Sequence, residues 1–520
     1  MAQTAQAATA KAQGKANKAK KTAISPTRAE NYAEWYQQVV RGADMAENAP
    51  VRGCMVIKPW GYGIWEAIKG ALDNRFKETG HENAYFPLLI PLRFIEREAA
   101  HVEGFAKEMA VVTHHRLEER DGKLVPAAPL EEPLIIRPTS ETIIGEAFAN
   151  WIRSYRDLPL LINQWANVMR WELRPRLWLR TSEFLWQEGH TAHETEAEAR
   201  EETLQMLEIY REVAEEHMAV PVIKGEKSES ERFPGAVDTY TIEAMMQDGK
   251  ALQAGTSHYL GQNFSKAANI RFQDRDGGWQ HPHTTSWGAS TRLVGALVMT
   301  HGDDNGLQLP PRIAPSQIVI LPIIRDEAQR GPVLDYAERL AAQLRAQSYA
   351  GTPVRVRMDT RDLPPPEKKW EWVRKGVPLL IEVGPRDIEG EAAALMRRDR
   401  IDEKKAILPL AELVAKAPDM LGEIQSNLFE AARAERDRRL RTDITDYETL
   451  AEYFRDMEAD TGFSHGFVRA WWCEDAESEE KLAELGVSVR CIPFDQPEGG
   501  GTCVLTGKPA KRQAIFGKAY

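Results

Sequence analysis

Cysteine is scarce in this chain. Cys54, Cys473, Cys491 and Cys503 are the only four in 520 residues, too few and too scattered for a disulfide framework. No apolar run approaches the ~20 residues that cross a bilayer, so no membrane span is predicted. An excess of positive charge is also missing: 67 Lys and Arg face 78 Asp and Glu, a net charge of -11. A nucleic-acid partner would have to use local basic patches instead. Three are present: Lys368-Lys369 with Arg374-Lys375, Arg397-Arg398 with Arg400, and Arg433 through Arg441. Each also reads as a solvated helix face. No internal repeat is visible, and the chain reads as cytoplasmic. Residues 1–24 are Ala, Lys, Gln and Thr without a hydrophobic stretch, which excludes a secretory signal. They predict a disordered basic tail, with Lys11, Lys15, Lys18, Lys20 and Lys21 free to touch an acidic polymer.

The length predicts roughly three domains. Residues 25–309 read as one mixed block. Trp60 to Thr79 predicts a helix, with Ile64, Ile68, Leu72 and Phe76 spaced by fours. Asn83 to Pro91 predicts a short buried strand. Glu194 to His217 predicts a long amphipathic helix with Leu204, Leu207, Tyr210 and Val213 as its core stripe. Strand-like runs follow at Thr239–Glu243, Gln253–Ser257, Ile270–Gln273 and His283–Trp287. Runs of strands around one long helix predict an α+β domain with an antiparallel sheet. The proline-rich Pro310 to Pro315 reads as a rigid linker. Residues 310–412 then alternate strand (Ile318–Ile323), helix (Gly331–Gln347) and strands (Val354–Met358, Leu379–Val383), a small α/β domain built on a βαβ unit. Residues 413–520 form a third block that opens on a charged helix, Leu421 to Leu440.

The chemistry concentrates in Arg170-Trp171-Glu172, then Arg180-Thr181, then the aromatic run from Ser182 to His190. Arg170 and Glu172, two apart, share one face if the segment is a strand. A guanidinium binds phosphate bidentately and a carboxylate accepts from an adenine amine, so the pair suits a nucleotide. A salt-bridged hairpin fits the pair equally well. Two further segments break the tie: Arg137-Pro138-Thr139-Ser140-Glu141, and Ser286 through Arg292 followed by His301-Gly302-Asp303.

In order and spacing these segments resemble the signature motifs of class II aminoacyl-tRNA synthetases, and most closely the prolyl-tRNA synthetases of the archaeal/eukaryote-like type, which lack an inserted editing domain. The resemblance runs from about Ser25 to Tyr520. It implies an antiparallel catalytic sheet flanked by helices, an α/β anticodon-binding domain, a small α+β zinc-binding-like C-terminal domain, and a homodimer with Pro87 at the dimer motif. The implied substrates and partners are L-proline, ATP with Mg²⁺, and tRNA. Arg170 and Arg292 are the implied catalytic residues. Glu172, Arg180, Thr181, Gln253, Thr256 and Ser290 join them around ATP, with Gln253 also near the nucleotide's Mg²⁺. Thr139, Glu141, Arg170, Trp186 and His258 are the implied proline pocket, with Phe184 as a second wall. A secondary ammonium needs acceptors, and a buried carboxylate supplies charge-assisted ones. Glu188 and His190 stand beside the pocket, where a histidine among aromatics is more often structural.

Two places depart from the family pattern. Relatives usually show Trp-Glu-x-Lys-Gly-Val-Pro-x-Arg, whose Glu and Arg read anticodon guanines. Aligned on Gly376-Val377-Pro378, this chain has Val373 and Leu380 at those positions. Neither offers a donor or acceptor to a guanine. Either Glu371 and Arg374 take over by a register shift, or the tRNA charged has a non-standard anticodon. The four zinc positions read Cys473, Ser478, Cys503 and Thr506, a poor tetrahedral set even with Cys491 nearby, so no structural zinc is expected. A proline-activating paralogue that loads a non-tRNA acceptor is the competing enzyme class. A regulatory module with a dead site is a third reading, which the full motif set opposes.

Overall fold

The computed structural model describes residues 22–97, 108–455 and 463–520. Most of the basic tail lies outside the described residues. Its predicted last residue does not behave as a tail: Ile24 is buried and its N–H donates to the Asp304 carbonyl.

Helix α1 (Tyr32–Gly42) is capped by the Asn31 side chain. Helix α2 (Pro59–Glu78) starts on a proline at its first position and buries Ile64, Ile68, Leu72 and Phe76. A long hairpin follows, β1 (Ala110–Arg120) and β2 (Lys123–Ile136). It adds to the elements expected above, and its turn, Asp121-Gly122, is the strongest short hairpin signal. Both residues take positive φ, 52° and 71°, as that turn requires. The single strand expected over Asn83–Pro91 is two short pieces, Glu82–Asn83 and Leu89–Pro91, in different sheets.

Helix α3 (Glu141–Trp151) leads to strands β3 (Leu160–Met169) and β4 (Glu183–His193). Helix α4 (Glu196–Glu212) is fixed by a capping box between Thr195 and Glu198 and ends in one wider π turn. Leu207, Tyr210 and Val213 are buried as the pattern predicts. Leu204 is instead exposed, because the buried face of the helix runs through Ala199, Thr203, Met206 and Tyr210 and leaves Leu204 off it. Strands β5 (Val222–Glu226), β6 (Asp238–Met245), β7 (Ala251–Gly261) and β8 (His283–Ser290) complete the catalytic sheet, and helix α5 (Arg292–His301) closes it. Of the run Ile270–Gln273 only Phe272–Gln273 is strand.

The second unit has β9 (Ile318–Pro322), α6 (Glu327–Arg345), β10 (Val356–Met358), α7 (Pro365–Arg374), β11 (Leu379–Val383), β12 (Ala392–Arg397) and β13 (Ala406–Pro409). Its sheet order is β10-β9-β11-β12-β13, parallel over the first three strands. Pro310 to Pro315 is not a free spacer. Arg355 donates to the carbonyls of Pro311, Arg312 and Ala314, and Ile313 is buried. Helix α8 runs from Leu410 to Arg438, so the boundary placed between residues 412 and 413 falls inside a helix. Its Leu413, Ala417, Leu421 and Ile424 pack into the core of the second unit.

Strands β14 (Phe467–Trp472), β15 (Ser488–Pro493) and β16 (Arg512–Gly517) make the C-terminal sheet. That sheet is not separate. β15 pairs with β5 through Ile492–Glu226 and Pro493–Gly225, which joins both sheets into one of eleven strands.

Candidate active site

Strands β3 and β4 pair from Leu160–Ala192 to Met169–Glu183, and the loop of residues 170–182 crosses their open end. Arg170 and Glu172 therefore lie just beyond the strand, not within it. The Arg170 N–H still donates to the Ser182 carbonyl in register, and the ladder ends there because the Ser182 N–H goes to the Gly53 carbonyl and the Trp171 N–H to that of Glu108. Within the loop, Arg176 and Arg180 exchange two backbone hydrogen bonds around the buried Trp178, which holds a left-handed φ of 67°. A bulky residue keeps such a backbone only where its surroundings impose it.

Two adjoining cavities open on the sheet face. One, of about 340 Å³, has Thr139, Glu141, Trp186, Gln253, Thr256 and His258 in its walls. The other, of about 220 Å³, has Glu172, Arg180 and Thr181. Arg170, Phe184, Ser290 and Arg292 border both. A larger space of about 710 Å³ between the catalytic unit and α8 is lined by His301 and Gly302 but by none of the residues just named.

The first cavity has a layered floor. The Thr139 hydroxyl donates to Glu141, leaving the other carboxylate oxygen for a ligand. Beneath it, Glu188 accepts from Ser140 at 2.5 Å and Gln164 at 2.7 Å, and lies 3.0 Å from His190 Nε2. Burial opposes a charge on His190, but the Glu188 contact and the Glu141 charge outweigh it and hold its pKa above the ordinary value. His258 does the reverse: burial first, then the His190 charge, depress it to about 3, so its ring is neutral. Its Nδ1 lies 3.0 Å from the Thr239 hydroxyl.

Strand β6 supports β7 residue by residue. The register sets Thr239 opposite His258, Thr241 opposite Thr256 and Glu243 opposite Gln253, so each of these cavity-lining groups on β7 has a polar neighbour beside it. At the far side, Arg292 opens α5. Its N–H donates to Ser290 Oγ at 3.2 Å and its Nε to the Leu179 carbonyl at 3.2 Å. Burial, then repulsion from Arg180 and Arg170, lower its pKa to about 10, so the cation lacks a full counter-charge and suits a polyanion. Arg170 is likewise lowered by burial, against the opposing charges of Glu141, Glu108 and Glu188. Its guanidinium lies 5.7 Å from the rings of both Phe184 and Trp186.

Some cavity residues escaped the sequence reading. Phe233 stacks 4.7 Å from His258 and, with Arg232 and Pro234, roofs the first cavity. The run Glu231-Arg232-Phe233-Pro234-Gly235 carried a turn signal but no chemistry of its own.

The His190–Glu188 pair has a thermodynamic consequence. A histidine raised above its unfolded value of about 6.5 stabilises the fold fully below that pH, and the contribution fades as pH rises through the folded value. His190→Gln should therefore flatten the stability profile above about pH 6.5. Urea unfolding of both proteins from pH 6 to 9 measures it, and parallel profiles would contradict the pairing.

The expected anticodon residues lie elsewhere, on α7 and β11. Val373 and Leu380 are buried in the core shared with the catalytic unit. Glu371 is held by Lys375 at 2.8 Å and Arg361 at 3.0 Å. Arg374 packs towards Gly42 and Gly306 of the catalytic unit. In the C-terminal unit Cys473 Sγ is 3.4 Å from the Thr506 hydroxyl. Ser478 is committed to Trp472 Nε1 at 2.8 Å. Cys491 packs in a different cluster with Phe467 and Ile515, so it lends no third sulfur.

The antiparallel sheet, the two arginine-lined cavities and the appended α/β unit define a class II aminoacyl-tRNA synthetase. Family models agree along the chain: the tRNA synthetase class II core domain (G, H, P, S and T) matches residues 125–301, the anticodon binding domain 317–420, and the prolyl-tRNA synthetase C-terminal domain 460–520. A proline–tRNA ligase of Paramagnetospirillum magneticum is 61% identical over 97% of this chain and 100% of the relative. One from Protochlamydia amoebophila is 59% identical over 96% and 99%. The crystal structure of prolyl-tRNA synthetase from Cryptosporidium parvum, complexed with halofuginone and AMPPNP, superposes with a TM-score of 0.86 at 40% identity, covering 96% of this chain and 99% of that one. The chain belongs to the prolyl-tRNA synthetase family.

Proposed function

We propose that this protein activates L-proline with ATP and transfers the prolyl group to tRNA. The observation that carries the reading is Arg170, which borders both cavities and so touches both reactants. A proline carboxylate oxygen attacks the α-phosphorus and the bond to pyrophosphate breaks. A ribose hydroxyl of tRNA then attacks the prolyl carbonyl and AMP leaves. Arg170 orients the carboxylate against the phosphate, and Arg292 draws the leaving charge. Little general acid or base is needed, because positioning and charge neutralisation dominate phosphoryl-centred steps. Glu172 accepts from the adenine amine, while Arg180 and Thr181 hold the nucleotide edge. Glu141 and Thr139 receive the secondary ammonium, neutral His258 adds no repelling charge, and Trp186 and Phe233 enclose the ring.

Gln253 and Thr256 offer neutral oxygens, and no cluster of three or more His, Cys, Asp or Glu fit for a metal occurs among the described residues. Such donors fit a hard cation that arrives with the triphosphate. When bound, Mg²⁺ supplies charge neutralisation at the phosphates. The C-terminal donors, with the Ser478 hydroxyl already engaged, fit zinc poorly. Around Pro87, the exposed Tyr85, Leu89, Val111 and Trp151 support a homodimer face. No helix among the described residues is long and apolar enough to cross a membrane, and the four free thiols support a cytoplasmic setting.

Charging of bulk tRNA with labelled proline tests the transfer step. Proline-dependent pyrophosphate exchange without charging would instead favour a carrier-loading paralogue. With Val373 and Leu380 sealed in the core, the two usual guanine readers have no counterpart at those positions. Transcripts that differ only in the anticodon should therefore be charged with efficiencies within about tenfold of one another, since each lost base contact removes about 1–3 kcal/mol of discrimination. A strong preference for the usual proline anticodon would overturn this part of the reading.

A further inference from the structure

Behind the ATP-side residues lies a buried ionic cluster to which the C-terminal unit contributes. Glu243 of β6 is fully buried. One of its carboxylate oxygens accepts from Arg490 of β15, at 3.2 Å from Nε and 3.0 Å from Nη2. The other accepts from the Thr241 hydroxyl at 3.0 Å and lies 3.9 Å from Lys227 Nζ. Lys227 is itself buried. It donates to the Arg490 carbonyl at 2.9 Å and lies 3.4 Å from Glu231. Arg490 also donates to Ser488 at 2.8 Å. Two cations thus converge on one carboxylate where the C-terminal sheet joins the catalytic sheet.

The place of that carboxylate gives the cluster its meaning. Glu243 is opposite Gln253, with a β-bulge beside the pair. Ile242 and Gly255, the preceding pair, face the Tyr210 side of the sheet. Glu243 and Gln253 consequently share the cavity face. Glu243 and Arg490 also both act electrostatically on Arg292, in opposite senses. A carboxylate free to move at this place has two outlets: it turns to Arg292, or it takes up a proton. The first would compete with the triphosphate for its arginine. The two-point grip of Arg490 prevents it.

We propose that Arg490 of the C-terminal unit is a positioning residue for the ATP site: it pins Glu243 and so keeps Arg292 and Gln253 available to the nucleotide. This rests on the reading of Arg292 and Gln253 as ATP-facing groups. It gives the C-terminal unit a part in proline activation, apart from any contact with tRNA. A buried pair that served packing alone would make a different prediction, because breaking it would cost stability and leave substrate affinities unchanged.

The test is proline-dependent ATP–pyrophosphate exchange by the full chain, with the KM for each substrate and the melting temperature recorded for every variant. Arg490→Met should raise the KM for ATP about tenfold, while the KM for proline stays within about twofold. Arg490→Lys keeps the charge but offers a single-point contact; its rise should be about threefold. The double variant Arg490→Met/Glu243→Gln removes the competing carboxylate and should recover most of the ATP affinity. A folded Arg490→Met protein with unchanged KM for ATP would overturn the proposal, as would a double variant no better than the single one. Should Arg490→Met fail to fold, the lysine variant decides: an unchanged KM for ATP overturns the proposal, and the expected rise supports it. Absence of proline-dependent exchange in the unaltered protein would instead sink the functional reading beneath it.

Discussion

Arg170→Ala should lower kcat/KM for proline activation about 10²–10³-fold, the loss typical when one preorganised donor to a developing charge is removed. The guanidinium sits at the junction of the two cavities, with its Nε tied to the Pro138 carbonyl at 2.9 Å. That bond and the flanking Phe184 and Trp186 rings fix its plane before substrates arrive. Its charge is held in a buried place where the acids Glu141, Glu108 and Glu188 sustain it. A lysine cannot reproduce the planar fork, so Arg170→Lys should recover only a small part of the loss. Steady-state exchange kinetics measure both variants. A loss below about fivefold for the alanine variant would remove Arg170 from the reacting centre.

Glu141→Gln should act on proline and spare ATP. In the proposed pocket the carboxylate accepts from the secondary ammonium, and a charge-assisted hydrogen bond contributes about 1.5–3 kcal/mol. The KM for proline should rise about 10–100-fold, with the KM for ATP nearly unchanged. Thr139 donates to Glu141 and would donate to the amide oxygen as well, so the glutamine side chain keeps its place and the comparison isolates the charge. A proportionate rise in both KM values would mean that Glu141 acts through the general shape of the site.

The elements that carry the candidate site were legible because their local pattern is strong. The strand and helix that carry Thr256, His258, Ser290 and Arg292 follow from alternating runs and a helix start, whereas their place in a site follows only from the family resemblance. Glu172 was legible as a nucleotide group, but its backbone was not. The pairing ends after Arg170 because the Gly53 carbonyl takes the Ser182 N–H and the Glu108 carbonyl takes the Trp171 N–H, and such distant partners leave no local trace. Phe233 and Glu243 were missed for related reasons. The first reaches the cavity from a loop, and the second is meaningful only beside Gln253 and beneath Arg490, which is 247 positions further on. The joining of the two sheets rests on two pairs, Ile492–Glu226 and Pro493–Gly225, contacts that no periodicity announces. Val373 and Leu380 show the opposite case. Read as lost base readers, they are also well-packed core residues between two units, and burial explains why apolar side chains stand there. The terminal Tyr520, whose hydroxyl donates to Asp248, shows the end of the chain returning to the catalytic unit, where Arg180 Nη2 lies 3.5 Å from its carbonyl.

Exchange of labelled pyrophosphate into ATP, run with each of the twenty amino acids and no tRNA, tests proline activation most directly. Exchange should depend on proline and fall sharply with Arg170→Ala. Exchange that is absent with proline, or equally strong with several primary amino acids, would contradict the assignment of Thr139, Glu141 and His258 to a proline pocket.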